Sequence, residues 1–307
     1  MVSYAELEEF FTGLVAAGQA RGIPCAIASG MACVHFGVAA TTRDCGVLCG
    51  PGHSAAFRAL IARTRFRGLA ANYRGNISPP LDARWMRGGW TAHFTWKTHP
   101  DETCLDVFGI APRASSPWEN ELTGIYAHPN VVGEMKRTKR ERDWPFSTAL
   151  GGRMLESGDV RGWLHLHDIE VMRRWAKAVR PPEAIVSLRP FLGMAPFKDS
   201  LKAKRILLAE QVFWGGLDDI RIRIYQGHLR LYTSSVRRAI HEAGGAATLQ
   251  ASHRIRVACA LRHLPFAPLR DYGLDRMVGE AKRNTGGTMG NDVIPLLPDS
   301  SRNFFGL

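Results

Sequence analysis

Residues 4–20, YAELEEFFTGLVAAGQA, repeat apolar positions at helical spacing and give out at Arg21-Gly22, a helix stop. CAIAS (25–29) is short, apolar and strand-like. Gly30 follows it, and MACVHFG (31–37) carries helix formers with no breaker before Gly37. CGVLC (45–49) predicts a second buried strand closed by GPG, and HSAAFRALIARTRF (53–66) a helix with an Ala/Leu/Ile/Phe stripe. The chain thus opens α-β-α-β-α.

The turn-forming segment ANYRGNISPPLDARWMRGG (71–89) predicts a surface loop. GWTAHFTWK and TCLDVFGI, joined by THPDE, predict an antiparallel pair. Alternation puts Cys104, Asp106 and Phe108 on one face of the second strand and Leu105 and Val107 on the other. Asp106 is then either a paired or cation-binding carboxylate in an apolar strand, or an edge-strand acid turned to water.

In VVGEMKRTKRERDWPF (131–146), Pro145 biases Trp144 away from helical geometry, so a helix from about Pro129 is expected to break near Asp143. On that helix Lys136, Arg140 and Asp143 share one face, and Arg137 and Glu141 pair on another. Such a face reads a phosphorylated ligand or is simply a charged surface.

Residues 158–307 read as mainly helical. Ser157 and Asp159 are cap candidates, and SLKAKRILLAEQVFWGGL and SSVRRAIHEAGG are expected to end at their Gly pairs. IRIRIYQGHLRLYTS (220–234) alternates and predicts a β-hairpin around Gln226-Gly227. His165 and His167 lie on different helical faces, which suits packing rather than metal ligation. The tail from Asn284, rich in Gly, Pro, Asn and Ser, is expected to be an extended arm or partly disordered. The fold class is α+β, with one domain over 1–157 and a basic, mainly helical domain over 158–307.

Composition adds little until charge is located. With 307 residues, 45% hydrophobic and 22% charged, the chain suits a folded protein with about two domains. No apolar run approaches a membrane span, and the acidic, amphipathic start is unlike a secretory leader, so a cytoplasmic protein is expected. Of the net +12, little belongs to residues 1–130, which hold 11 Lys/Arg against 10 Asp/Glu. Residues 131–307 hold 29 against 18. Clusters such as KRTKRER, MRRWAKAVR and KDSLKAKR either contact the phosphates of RNA or another nucleic acid, or form solvated faces. The six cysteines show no pairing rhythm; Cys45, Cys49 and His53 lack a fourth zinc ligand, and Cys45 and Cys49 share a strand face with Val47, as core residues do.

Three segments carry a resemblance. SGMACVHFGVAATTRD resembles the first motif of the polymerase-β-like nucleotidyltransferase superfamily, in which a strand ends in Gly-Gly or Gly-Ser, a short helix follows, and Thr-x-Asp-x-Asp opens the next strand. LDVFG is similar to the strand that supplies the third carboxylate. MKRTKRERDWP resembles a helix of bacterial nucleotidyltransferase-like proteins distantly related to abortive-infection-type toxins. The resemblance covers roughly residues 20–160. It implies a mixed sheet flanked by helices, with Ser29 and Gly30 forming the phosphate turn, Thr42 among the phosphate-binding residues, and Asp44 and Asp106 as catalytic, magnesium-binding acids. Lys136 would contact the triphosphate of an NTP, Arg140 would belong to the same nucleotide-binding set, and Asp143 would be an adjacent polar contact that holds either a basic side chain or the base.

Two positions depart from the pattern. Gly46 stands where the second acid of Asp-x-Asp is expected, and Ala40 where a basic residue precedes Thr41-Thr42. Losing one carboxylate weakens a site built to hold dications against water. Two functions therefore follow from the sequence: magnesium-dependent transfer of a nucleotide to RNA or another acceptor through an impaired metal site, or non-catalytic binding of nucleotide or nucleic acid on the same scaffold. A Gly46→Asp substitution is expected to restore the missing ligand.

Overall fold

The computed structural model describes residues 2–97, 102–114, 122, 124–194, 200–245 and 248–300. Helix α1 (Tyr4–Gln19) starts with a capping box, in which Ser3 Oγ accepts from the Glu6 N–H and Glu6 accepts from the Ser3 N–H. Leu7, Phe11, Leu14, Val15 and Gly18 form its buried stripe. Strand β1 (Cys25–Ala28), helix α2 (Ser29–His35), strand β2 (Asp44–Cys49) and helix α3 (Ser54–Arg63) follow as the sequence predicts.

The expected loop over 71–89 is more structured than its composition suggests. The short pair β3 (Arg65–Phe66) and β4 (Leu69–Ala70) precedes it, and it contains β5 (Asn72–Tyr73) and α4 (Ala83–Met86). The antiparallel pair β6 (Thr91–Lys97) and β7 (Glu102–Phe108) forms as expected, although the connection over 98–101 lies outside the described residues.

The five-stranded sheet has the order β1-β2-β7-β6-β5. It is mixed: β2 and β7 are parallel, and the other pairs antiparallel. One face, carrying Ile27, Val47, Leu105, Val107, Phe94 and Trp96, is buried with the stripe of α1 and with Phe57 and Ile61 of α3. On the other face Ala26, Ala28 and Leu48 are buried with residues of α2, α5 (Pro129–Met135) and α6 (Asp143–Glu156).

The remaining helices are α7 (Ile169–Ala176), α8 (Glu183–Leu188), α9 (Ser200–Glu242), α10 (Leu249–His263), α11 (Pro268–Tyr272) and α12 (Leu274–Met289). Asp159 and Asp168 cap the turn at Val160–Leu164 and helix α7. The division near residue 157 falls just after α6, yet Trp85, Trp90 and Trp144 are built into the core of α9, α10 and α12. No described helix is long and apolar enough to cross a membrane.

Three expectations for the second half are corrected. Helix α9 runs 43 residues, straight through Gly215-Gly216 and through the expected hairpin at Gln226-Gly227. A Cβ on Gly215 would lie 3.3 Å from Lys139 Cα, so this glycine admits a neighbouring backbone instead of ending the helix. The isoleucine alternation fails because Ile220 is buried in the helical core while Ile222 and Ile224 are only half-buried along the same helix. The tail is not a loose arm over its described part: 284–289 complete α12, a turn covers Asn291–Leu296, and Val293 and Leu297 are buried. Residues 301–307 lie outside the described residues.

Candidate functional site

Past the small residues of β1 and β2, the second face of the sheet is not closed by α2 and α5. A cleft of about 560 Å³ lies there, between the strand ends and the middle of α9. Ser29, Asp44, Asp106, Lys136 and Arg140 all border it, although they come from four separate stretches of chain. Gly30, Thr42 and Asp143 are not among the residues that line it.

The turn into α2 is tightly fitted. Ser29 has a φ of 65°, a left-handed conformation costing a serine about 1–3 kcal/mol. Gly30 is required by close approach: a Cβ there would lie 2.5 Å from Thr42 Oγ1. Thr42 Oγ1 in turn donates to the Asp44 carbonyl at 3.3 Å, which fixes the entry into β2. Asp44 itself is exposed at the strand start.

Gly46 pairs directly with Asp106 across β2 and β7. A Cβ at 46 would meet Ser29 Cβ at 3.0 Å and the Phe108 ring at 3.1 Å. The position where the pattern has a second acid is therefore occupied by its neighbours.

Asp106 lies on an interior strand of the sheet, and its carboxylate is paired. Its Oδ1 accepts from Arg74 Nη2 at 3.0 Å and lies 2.7 Å from His93 Nδ1. His93 is the antiparallel partner of Asp106 on β6, which is why the imidazole and the carboxylate meet. Burial works against the Arg74 charge, but the Cys104 side chain, Asp106 and Asp44 outweigh it and hold its pKa above the ordinary guanidinium value. Among the described residues, no three Asp, Glu, His or Cys side chains converge as a metal-binding group.

The opposite wall is basic, but its geometry is not the expected helix. Helix α5 ends at Met135, residues 136–142 form a turn, and α6 starts at Asp143. Pro145 sits in the first turn of α6, where a missing N–H removes no helical hydrogen bond, so it opens a helix instead of closing one. Lys136, Arg140 and Asp143 still meet, through the turn. The buried Asp143 carboxylate accepts from Thr138 Oγ1 at 2.6 Å and holds Arg140 Nε at 2.9 Å and Lys136 Nζ at 3.4 Å. Arg137, expected to pair with Glu141, is buried with its guanidinium 4.7 Å from the Trp214 ring centre.

Helix α9 supplies the third wall. Asp218 binds the buried Arg113 at 2.5 Å and Arg221 at 3.1 Å, while Tyr225 adds an aromatic surface. Burial pushes the Arg113 pKa down to about 10 against the pull of Asp218. Lys139, also on the cleft, forms an exposed pair with Asp219 at 2.7 Å.

Arg74, His93, Arg113, Asp218 and Arg221 were not singled out as site residues by the sequence. His93 was within reach, since pairing β6 against β7 puts it beside Asp106. Arg74 carried no signal among turn formers, Arg221 was hidden when its helix read as a hairpin, and Asp218 fell between that hairpin and the helix expected to end at Gly215-Gly216. His165 and His167 are buried packing residues, and burial holds both imidazoles far below their ordinary pKa. All six cysteines are buried and unpaired by disulfides.

Comparison with protein-family models, with curated proteins and with solved structures returned no match. The class defined by the fold is α+β, and the reading of the site rests on the residues themselves.

Proposed function

We propose that the chain is a nucleotidyltransferase-like protein that binds a nucleotide in this cleft without efficient transfer chemistry. The supporting observation is the convergence on one cleft of Lys136, Lys139 and Arg140 from the turn between α5 and α6 and of Arg221 from α9, with Asp44 and Asp106 bordering the same volume, which suits a small ligand. Each of these cations is paired with an acid, Lys136 and Arg140 with Asp143, Lys139 with Asp219 and Arg221 with Asp218, and it is their remaining N–H donors that suit a phosphate chain. Ile77, Trp90, Tyr225 and Leu229 give an apolar and aromatic surface against which a base can lie.

Efficient magnesium-assisted transfer requires carboxylates free to hold dications. Gly46 removes one ligand, and Asp106 is engaged by Arg74 and His93. The retained pair, Asp44 and Asp106 on one cleft, is what supports the alternative of slow, magnesium-dependent transfer to RNA or another acceptor. Two basic residues of the second half are already committed, Arg205 to Asp292 and Arg223 to Glu280. A nucleic-acid surface there has less free charge than the composition suggests.

The deciding experiment titrates the protein with a fluorescent ATP analogue, with and without magnesium, alongside a label-transfer assay using each NTP and total RNA. Saturable binding competed by unlabelled NTP, with no transfer, is the expected result. Absence of nucleotide binding by folded protein in both conditions would overturn the reading, and rapid transfer would replace it with the enzymatic one.

A further inference from the structure

We infer that Arg74 is a built-in cation that takes over the charge-balancing role of a metal at Asp106, so that the cleft holds its anionic ligand without a divalent ion. The inference deepens the nucleotide-binding reading and concerns the same cleft, but it makes a claim about metal alone.

The first support is local. Asp106 Oδ1 is shared by Arg74 Nη2 at 3.0 Å and His93 Nδ1 at 2.7 Å, and the Arg74 amine also lies 3.2 Å from that imidazole nitrogen. A guanidinium stays charged throughout the physiological range, so the carboxylate is neutralised permanently. A magnesium ion at the same acid would need near-octahedral oxygen ligation and would face this positive charge. Gly46 offers no replacement, because Ser29 and Phe108 close around it.

The second support is that Arg74 is held in place from both sides. Its backbone N–H donates to the His93 carbonyl at 2.9 Å. The next residues are pinned by the helical half: buried Arg256 donates to the Gly75 carbonyl at 2.6 Å and to the Ser78 carbonyl at 2.8 Å. The hydroxyl of buried Tyr232 also donates to Ser78 O, at 2.7 Å, and Ser78 Oγ accepts from the His93 N–H at 2.8 Å. Helices α9 and α10 therefore fix the segment that carries the arginine to the acid. The backbone that carries Arg74 is thus fixed, and its side chain, 34% exposed, is oriented by its contacts with Asp106 and His93.

The test uses manganese alone, followed by water-proton relaxation, on wild type, Asp106→Asn, Arg74→Gln, Arg74→Ala and the double variant Arg74→Gln/Asp106→Asn. Wild type is expected to show no Asp106-dependent manganese site at millimolar metal. Both Arg74 variants should gain one, tighter by about tenfold or more, because removing a positive charge beside two acids raises their effective ligand charge. The Asp106→Asn change should abolish the gain. Wild-type manganese binding that disappears in Asp106→Asn would overturn the inference, as would folded Arg74 variants with no new site. Should neither Arg74 variant fold, the wild-type and Asp106→Asn titrations still decide it. Nucleotide is absent from the experiment, so its failure is distinct from failure of nucleotide binding.

Discussion

Gly46 lies directly opposite Asp106 in the parallel pairing of β2 and β7, and the space a side chain would need is held by Ser29 and Phe108. The missing acid is thus a packed feature of the sheet. Gly46→Asp, expected from sequence alone to restore a ligand, instead meets contacts of 3.0 and 3.1 Å at its first side-chain atom. It should destabilise the fold by about 1–3 kcal/mol, as overpacking does, and leave label transfer at the wild-type level while Arg74 is present. Urea unfolding and the transfer assay check both halves.

Lys136 is the cation placed to meet the phosphates, since it lines the cleft and its ammonium is held by Asp143 beneath. Lys136→Met should weaken triphosphate binding about tenfold or more and AMP binding less, because a point charge acts most on the more highly charged chain. Equal losses for both ligands, by isothermal titration, would move Lys136 out of the phosphate site.

Arg189 and Glu210 form an ion pair at 2.5 Å, with both side chains essentially without exposure, and Arg189 also donates to the Trp163 carbonyl at 2.7 Å. Glu210→Ala leaves a buried, uncompensated guanidinium and should lower stability by about 3–5 kcal/mol. A denaturation midpoint within error of wild type would contradict this burial.

His253 predicts an acid sensitivity. Burial lowers its pKa to about 4, with Arg58 adding to the shift, and its Nδ1 lies 2.8 Å from the Tyr73 hydroxyl. The unfolded imidazole takes up its proton near its ordinary value, whereas the folded one resists, so the unfolded state binds more protons between the two. Stability should therefore fall as pH drops from about 6.5 toward about 4, and His165 and His167 act in the same direction. In urea titrations at pH 7 and pH 5, His253→Gln should lose less stability on acidification than wild type, whatever its stability at pH 7.

The sequence by itself determined the elements whose signals are local. Alternation placed Asp106 opposite Leu105 and Val107 on its strand, helical spacing gave α1 and α3, and Gly30 marked the turn into α2. These follow from backbone period and steric allowance, which each segment carries within itself. The tertiary structure decided the rest. The glycines of α9 did not end it, because burial of Phe213, Trp214 and Leu217 outweighs a propensity loss of about 1 kcal/mol per glycine. Lys136, Arg140 and Asp143 came together through a turn and not along a helix, since a buried carboxylate gathers donors by any route the chain allows. Arg74 meets Asp106 beside His93, to whose carbonyl its N–H bonds, and Arg256 and Tyr232, more than 150 residues further on, hold the residues that follow it. Contacts at that separation depend on how the two halves meet, and no local pattern encodes them.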